Sequence, residues 1–204
     1  MQPAPAPHAR LFPDIMVSPT RKIRIIGGTW RSRQIELTPA PGMRPTPDRV
    51  RETLFNWLGQ RLDDLACLDL FAGSGILGFE AASRSAATVT LIEREPRVFA
   101  TLQHNAALLE GKTEKSARKL ELYRGDAVEF LGSTAKKFDV IFVDPPYRQG
   151  WIERVAPLLD RVLEPDGWIY AEAETPLTDL AGRQTLKQGR AGQVHFHLMR
   201  RMQA

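Results

Sequence analysis

A short apolar run that leads into a glycine-rich turn limits the possible folds of this chain more than any other feature. Residues 66–71 predict a buried strand, and the pattern Gly73-x-Gly75-x-x-Gly78 follows it and opens a helical stretch. Glycine permits the tight turn and lets the backbone approach a ligand closely. A strand, a glycine turn and a helix in this order are typical of Rossmann-like folds that bind a nucleotide-containing cofactor.

From this strand onward, short apolar runs alternate with helical stretches. Strands are predicted at 66–71, 88–93, 119–124, 138–143, 168–173, 184–190 and 193–200, and helices at 76–84, 96–109, 126–133 and 151–163. Such alternation indicates parallel strands joined by crossover helices on both faces of a sheet. The gap between the last two strands is too short for a crossover, so they should pair antiparallel. The sequence predicts a mostly parallel seven-stranded α/β sheet with an antiparallel last strand.

The chain before the first parallel strand divides into dissimilar parts. Residues 1–20 contain five of the 15 prolines and predict a disordered tail. Residues 21–45 contain two β-prone runs around a glycine pair, which predict a hairpin followed by a proline-rich linker. Residues 46–204 then form the predicted catalytic domain.

A helix over about residues 48–62 is predicted to open that domain. Thr46 and Asp48 are both plausible N-cap residues for it.

Positive charge is concentrated near the N-terminus. The whole chain carries a formal charge of +4, whereas residues 1–60 hold nine Arg and Lys against four acidic residues. A basic arm on a near-neutral body favours a polyanionic partner such as a nucleic acid. Period-two alternation should place Arg31 and Arg33 on one strand face. The candidate phosphate-contacting residues of the hairpin are Lys22, Arg24, Arg31 and Arg33.

Composition excludes several other classes of protein. The single cysteine, Cys67, excludes an internal disulfide framework and fits a reducing compartment. The four histidines are scattered, so no metal site is expected. With neither an apolar run long enough for a membrane span nor a secretory signal pattern, we expect a cytoplasmic protein. We also expect a monomer.

Acidic residues near the glycine turn bear on the choice of cofactor. Glu93 lies eighteen residues after Gly75, where a carboxylate accepts hydrogen bonds from ribose hydroxyls. The glycine turn and Glu93 together fit nicotinamide cofactors and other adenosine cofactors equally well. Asp69 would repel a pyrophosphate but suits a cation such as S-adenosylmethionine, which carries sulfonium and ammonium groups. Asp126 could accept from an adenine amine, cap a helix, or do both. The candidate cofactor-binding residues are Asp69, Phe71, Gly73, Ser74, Gly75, Glu93, Asp126 and Ala127.

The most specific motif is Asp144-Pro145-Pro146-Tyr147, directly after the fourth parallel strand. In sheets of this kind the first and fourth strands flank the switch point, so Asp144 should face the glycine turn. Two prolines make a rigid corner rich in hydrogen-bond acceptors, which suits the amino group of a planar base. The Tyr147 ring offers a face for stacking that base. We predict that these four residues form the catalytic motif.

The sequence resembles a known family at these positions. Asp69 to Gly75 and Asp144 to Tyr147 resemble motifs I and IV of S-adenosylmethionine-dependent amino-group methyltransferases. Two N-terminal runs narrow the resemblance, over about residues 22–202, to bacterial 16S ribosomal RNA guanine-N2 methyltransferases (the RsmD-like family). These runs are Arg24-Ile25-Ile26-Gly27-Gly28-x-Trp30-Arg31 and Arg44-Pro45-Thr46-x-Asp48-Arg49-Val50-Arg51-Glu52-Thr53-Leu54-Phe55-Asn56-Trp57-Leu58.

The resemblance implies methylation of the exocyclic N2 of guanine 966 in 16S ribosomal RNA, or in the assembling small subunit, with S-adenosylmethionine as cofactor. Motif IV is shared with DNA adenine-N6 methyltransferases, which remain an alternative. A nicotinamide-dependent oxidoreductase and a non-catalytic RNA-binding protein with the same fold are further alternatives.

Overall fold

The computed structural model describes residues 21–39, 45–111 and 119–202, and the predicted tail at 1–20 lies outside these ranges. In chain order the elements are β1 (Arg21–Arg24), β2 (Gln34–Leu37), α1 (Asp48–Leu58), β3 (Ala66–Asp69), α2 (Ile76–Ser83), β4 (Thr88–Glu93), α3 (Pro96–Glu110), β5 (Lys119–Arg124), α4 (Ala127–Ser133), β6 (Phe138–Val143), α5 (Trp151–Val162), β7 (Leu163–Ala173), β8 (Asp179–Leu180), β9 (Arg183–Ala191) and β10 (Val194–Arg200).

The main sheet of the described chain has eight strands in the order β5-β4-β3-β6-β7-β10-β9-β8. The five strands from β5 to β7 run parallel, and β10 pairs antiparallel with both β7 and β9. The predicted α/β class and the antiparallel pairing of the last two strands are therefore confirmed. The predicted count of seven is wrong, because the two-residue strand β8 adds an eighth at the edge.

The switch point lies between β3 and β6, as the sequence predicts. β4 lies on one side of β3 and β6 on the other, so the turns that follow β3 and β6 open into one crevice. One apolar cluster packs α1, α2 and α3 on one face of the sheet. A second cluster packs α4 and α5 on the other face. Among the described residues, no helix is long and apolar enough to cross a membrane.

The start of α1 differs from the prediction. Pro47 occupies the N-cap position, and neither Thr46 nor Asp48 caps the helix. The Thr46 hydroxyl instead lies within hydrogen-bonding distance of two carboxylates of the crevice. The helix also ends at Leu58, earlier than predicted, because Gly59 adopts φ +105°.

The connection between β1 and β2 is wider than the predicted two-residue turn. Residues 25–33 join the two strands, and the glycine pair lies against the C-terminal end of α2. The Thr29 amide donates to the Ser83 carbonyl at 2.8 Å. Gly28 adopts φ +72°, and a Cβ there would lie 1.9 Å from the same carbonyl. Contact with α2 therefore decides the conformation of this loop.

Arg31 and Arg33 do not share a strand face, contrary to the prediction. Ser32 between them adopts φ 67°, which breaks the alternation of an extended strand. Arg31 is exposed, whereas Arg33 is half-buried and donates from Nη1 to the Leu109 carbonyl at 3.0 Å.

The hairpin packs on the sheet domain through apolar side chains. Ile25, Trp30 and Ile35 are buried in the same cluster as α2 and α3. The Trp30 ring meets Phe79 edge-on, with 6.5 Å between the ring centroids. Trp30 therefore contributes to the core.

Candidate active site

Four acidic residues lie at the carboxyl ends of four neighbouring parallel strands. Glu93 ends β4, Asp69 ends β3, Asp144 follows β6, and Glu172 lies near the end of β7. Parallel strands end at the same edge of a sheet, so the four carboxylates form a row along the crevice. Three of them were predicted as site residues, and Glu172 was not.

The glycine turn is fixed by two of these carboxylates. Asp69 Oδ2 accepts from the Gly78 amide at 2.9 Å, and Glu93 Oε2 accepts from the Gly73 amide at 3.0 Å. Gly75 begins α2 at φ +88°, and a Cβ there would lie 2.3 Å from the Phe79 ring. Glycine is therefore required at this position, because of the positive φ and because a side chain would collide with Phe79.

A cavity of about 780 Å³ lies in front of this row, which is within the usual range for a small-molecule site. It is lined by ten of the twelve residues predicted for catalysis and cofactor binding. These ten are Asp69, Phe71, Gly73, Ser74, Glu93, Ala127, Asp144, Pro145, Pro146 and Tyr147. The sequence therefore predicts the part of the cavity that the glycine turn and the ends of the parallel strands form.

The other two predicted residues hold the neighbouring elements in place. Gly75 starts α2, and Asp126 caps α4 by accepting from the Val128 amide at 2.8 Å. The capping role considered for Asp126 is thus observed. Its neighbours Gly125 and Ala127 line the cavity, and a contact from Asp126 to adenine stays a prediction.

Part of the cavity wall comes from residues that the sequence analysis missed. The end of the hairpin contributes Leu37 and Thr38 to the lining, and α5 contributes Trp151. The Trp151 ring meets the Phe71 ring edge-on, with 5.4 Å between the ring centroids. The Arg94 guanidinium lies over the Trp151 ring, 5.1 Å from its centroid. Because Arg94 directly follows the predicted site residue Glu93, the sequence could have indicated that Arg94 lies at the cavity.

A hydroxyl joins the predicted catalytic motif to Glu172. Thr46 Oγ1 lies 3.1 Å from Asp144 Oδ2 and 3.1 Å from Glu172 Oε1. The Tyr170 hydroxyl donates to the same Glu172 oxygen at 2.7 Å, and Tyr147 also hydrogen bonds to Glu172. Two acidic side chains therefore share a network of three hydroxyl groups.

Burial makes the carboxylates of this row unusually basic. It raises the pKa of Asp69 to about 7, and the charge of Glu93 adds to the effect. Burial, followed by the charge of Glu172, raises the pKa of Asp144 well above its ordinary value. Burial also raises the pKa of Glu93 and of Glu172. A crevice of this kind favours a ligand that brings positive charge, because such a ligand stabilises the ionised carboxylates.

The predicted phosphate-contacting residues differ in their surroundings. Lys22 and Arg31 are exposed to solvent. Arg24 is exposed too, and its Nε pairs with Asp48 at 2.9 Å. Arg33, held by a carbonyl of α3, is the least available of the four.

The mostly parallel sheet, the glycine turn and the acidic cavity define a Rossmann-like protein whose site suits a positively charged cofactor. The family model described as Conserved hypothetical protein 95 matches residues 23–200. The chain belongs to this family, which confirms the family resemblance derived from the motifs.

Known proteins agree with this assignment. Ribosomal RNA small subunit methyltransferase D of Escherichia coli K12 is 42% identical over 189 residues, which cover 88% of this chain and 90% of that protein. A solved structure described as methyltransferase yhhF from Escherichia coli has a TM-score of 0.75 at 42% identity and covers 90% of this chain and 100% of that one. An RNA methyltransferase from Salinibacter ruber, solved with S-adenosyl-L-homocysteine, shares the fold at TM-score 0.57 and 18% identity, covering 79% of this chain and 96% of that one. The chain is a methyltransferase, and the oxidoreductase alternative is set aside.

Proposed function

We propose that this protein transfers a methyl group from S-adenosylmethionine to the exocyclic N2 of a guanine in 16S ribosomal RNA. The family resemblance specifies guanine 966, in naked RNA or in the assembling small subunit. The observation that carries the proposal is the placement of Asp144-Pro145-Pro146-Tyr147 across one cavity from the glycine turn. The name of the Escherichia coli relative supports ribosomal RNA over DNA adenine as the substrate. A substrate of this kind favours a cytoplasmic location.

The cavity fits S-adenosylmethionine by size and by charge. When bound, this cofactor supplies an electrophilic methyl group on a sulfonium. Glu93 would accept from the ribose hydroxyls, since each of its oxygens has a lone pair beyond the one used by the Gly73 or Glu95 amide. Asp69 would face the cationic part of the cofactor. The structural relative that holds S-adenosyl-L-homocysteine supports this assignment.

The motif after β6 would hold the target base. Asp144 and the Pro145 carbonyl accept the two N–H bonds of the guanine amino group, while Tyr147 stacks on the ring. These contacts direct the nitrogen lone pair at the methyl group. Holding two reactants in line is worth up to about 7–11 kcal/mol of the barrier. The base must leave its stack to enter the cavity, which favours an unpaired or flipped nucleotide.

The decisive experiment is methyl transfer with labelled S-adenosylmethionine. The substrates are naked 16S RNA and small subunits that lack the modification, and the labelled nucleotide is then mapped. Label on a guanine N2 supports the proposal, whereas label on adenine or in DNA contradicts it. Titration calorimetry with S-adenosylhomocysteine and with NADH tests the cofactor separately.

Glu93→Ala is expected to weaken binding of S-adenosylhomocysteine by about 1–3 kcal/mol, because the ribose hydroxyls lose a charged acceptor. Glu129→Ala, which removes an exposed acid of α4, serves as the control and should leave the affinity unchanged. Calorimetry gives both dissociation constants, and thermal melting reports whether the glycine turn survives. An unchanged affinity in a folded Glu93→Ala protein would remove Glu93 from the ribose site.

The exposed cations of the hairpin region are expected to set the salt dependence of RNA binding. In a Lys22→Ala/Arg31→Ala protein, each lost phosphate contact should flatten the slope of log K against log salt by about 0.7–0.9. Arg33→Ala is the matched control, because Arg33 holds a backbone carbonyl of α3. We expect a lower melting temperature and an unchanged slope for that control.

An unchanged slope in the double variant, at an unchanged melting temperature, would place the RNA elsewhere. Arg200 and Arg201 near the C-terminus would then be the next residues to test. Cofactor affinity should stay at the wild-type value in all of these variants.

A further inference from the structure

Glu172 is the one member of the carboxylate row for which the proposed methyl transfer has no use. It is buried, with 5% of its surface exposed, in a strand whose other residues there are apolar or aromatic. The register explains its position: Phe142 pairs with Tyr170 and Val143 with Ala171, so Asp144 and Glu172 each follow the last paired residue of their strand. The structure therefore places two acidic side chains side by side on adjacent strands.

The hydroxyl of Thr46 lies between these two acids. It is 3.1 Å from an oxygen of each, and it carries a single proton. Glu172 also receives the Tyr170 hydroxyl at 2.7 Å and the hydrogen bond of Tyr147. Glu172 is thus well supplied with donors, which leaves the Thr46 proton for Asp144.

We propose that Glu172 and Thr46 are positioning residues that hold Asp144 as the acceptor of the proton lost by the methylated amino group. This inference rests on the proposed function. Thr46 fixes the Oδ2 side of the Asp144 carboxylate, so that Oδ1 is the oxygen assigned to the substrate. Glu172 keeps that carboxylate basic by placing a second negative charge beside it.

The proposed step balances as follows. The guanine nitrogen uses its lone pair to bond the methyl carbon, and the carbon–sulfur bond breaks with its electron pair going to sulfur. The nitrogen–hydrogen bond then breaks with its pair staying on nitrogen. The proton goes to Asp144, which leaves neutral N2-methylguanine, S-adenosylhomocysteine and a protonated Asp144.

The surroundings of Asp144 suit this role. The acidic groups that act on it are Glu172 on β7 and Asp69 on β3. Tyr147 and Tyr170 hydrogen bond to Glu172, and Asp144 in turn acts on Tyr170. Burial and the two acids raise the pKa of Asp144, whereas the Thr46 hydrogen bond lowers it. A raised pKa makes the ionised Asp144 carboxylate a stronger proton acceptor than an ordinary aspartate.

The position of Thr46 is itself enforced. The Arg51 Nε donates to the Thr46 carbonyl at 3.2 Å, and the Arg51 side chain is completely buried. Thr46 is 2% exposed. Arg51 of α1 therefore fixes the backbone at Thr46, which keeps the buried hydroxyl between the two carboxylates.

The test is the pH profile of kcat for methyl transfer by Glu172→Gln. Removal of the neighbouring charge should move the acidic limb to lower pH by about one unit or more, while the affinity for S-adenosylhomocysteine is unchanged. Glu174→Gln, the same change at an exposed position two residues further along, should leave the limb in place. An unmoved limb in Glu172→Gln overturns the proposal.

A second pair of variants decides the matter even if Glu172→Gln fails to fold. Thr46→Val should lower kcat by at least about tenfold, as expected for loss of a hydrogen bond to a charged group, with little change in KM. Thr46→Ser, which retains the hydroxyl, should restore most of that loss. Equal kcat values for the two would overturn the proposal. If wild-type protein modifies no guanine N2, the proposed function itself fails, which is a different result.

Discussion

Asp144→Ala is expected to lower methyl transfer by at least about a hundredfold, the usual effect of removing one electrostatic or acid–base group. Asp144 is the proposed acceptor for the hydrogen bond of the amino group and the proposed site for its proton. S-adenosylhomocysteine binding should change little, because the other end of the cavity, near Glu93 and the glycine turn, is untouched. Turnover with labelled cofactor and calorimetry on the same protein separate the two effects.

The same substitution should leave the protein at least as stable as the wild type. The folded-state pKa of Asp144 is raised, so its ionised form costs folding free energy once the pH exceeds the ordinary value. That cost is absent at low pH and grows as the pH rises. A melting temperature at neutral pH no lower than that of the wild type is therefore the expected control.

Asp144→Asn separates the charge from the shape of the side chain. The amide keeps one acceptor oxygen but takes no proton at neutral pH. We expect its turnover to fall nearly as far as that of the alanine variant. Wild-type turnover in Asp144→Asn would exclude proton transfer to Asp144.

The sheet and the part of the cavity formed by the ends of its parallel strands could be predicted because their signals are local in sequence. Apolar periodicity predicts β3 and β6, and the switch-point rule predicts that the turns after them open into one crevice, as observed. Two motifs about 70 residues apart are thereby predicted to belong to one site. Glycine at position 75 follows from the positive φ that its turn requires.

The features of the fold and the site that could not be predicted depend on contacts between distant parts of the chain. Thr46 and Glu172 are 126 residues apart, and the sequence gives no pairing between them. One signal was present: an acidic residue inside an otherwise buried strand is costly unless it has partners or a function. The loop around Gly28 was misassigned for the same reason, because its conformation is set by Ser83 on α2.

Arg51→Met is expected to destabilise the fold by about 3–5 kcal/mol, because it leaves a buried carboxylate without its principal cation. Arg51 is completely buried and pairs with Glu80, which is also completely buried. It donates to Asp48 at 2.6 Å and to the Thr46 carbonyl at 3.2 Å. Glu80 in turn accepts from the Ile26 amide at 2.7 Å. One ion pair thus joins the hairpin, α1 and α2, beside the segment that supports Asp144.

Chemical denaturation of Arg51→Met measures the loss, and its pH dependence identifies the cause. Burial raises the pKa of Glu80, which Arg51 and Arg84 oppose, so removing Arg51 should raise it further. A raised folded-state pKa means that stability is retained at low pH and lost as the pH rises, so the stability deficit of the variant should shrink toward pH 5.

Arg61→Met, which breaks an exposed pair with Asp63, is the control and should leave the free energy of unfolding unchanged. Adding Glu80→Gln to Arg51→Met should recover part of the loss, because the uncompensated charge is then gone. A deficit that is the same at every pH and is not relieved in the double variant would mean that lost packing, not the buried charge, makes Arg51 necessary.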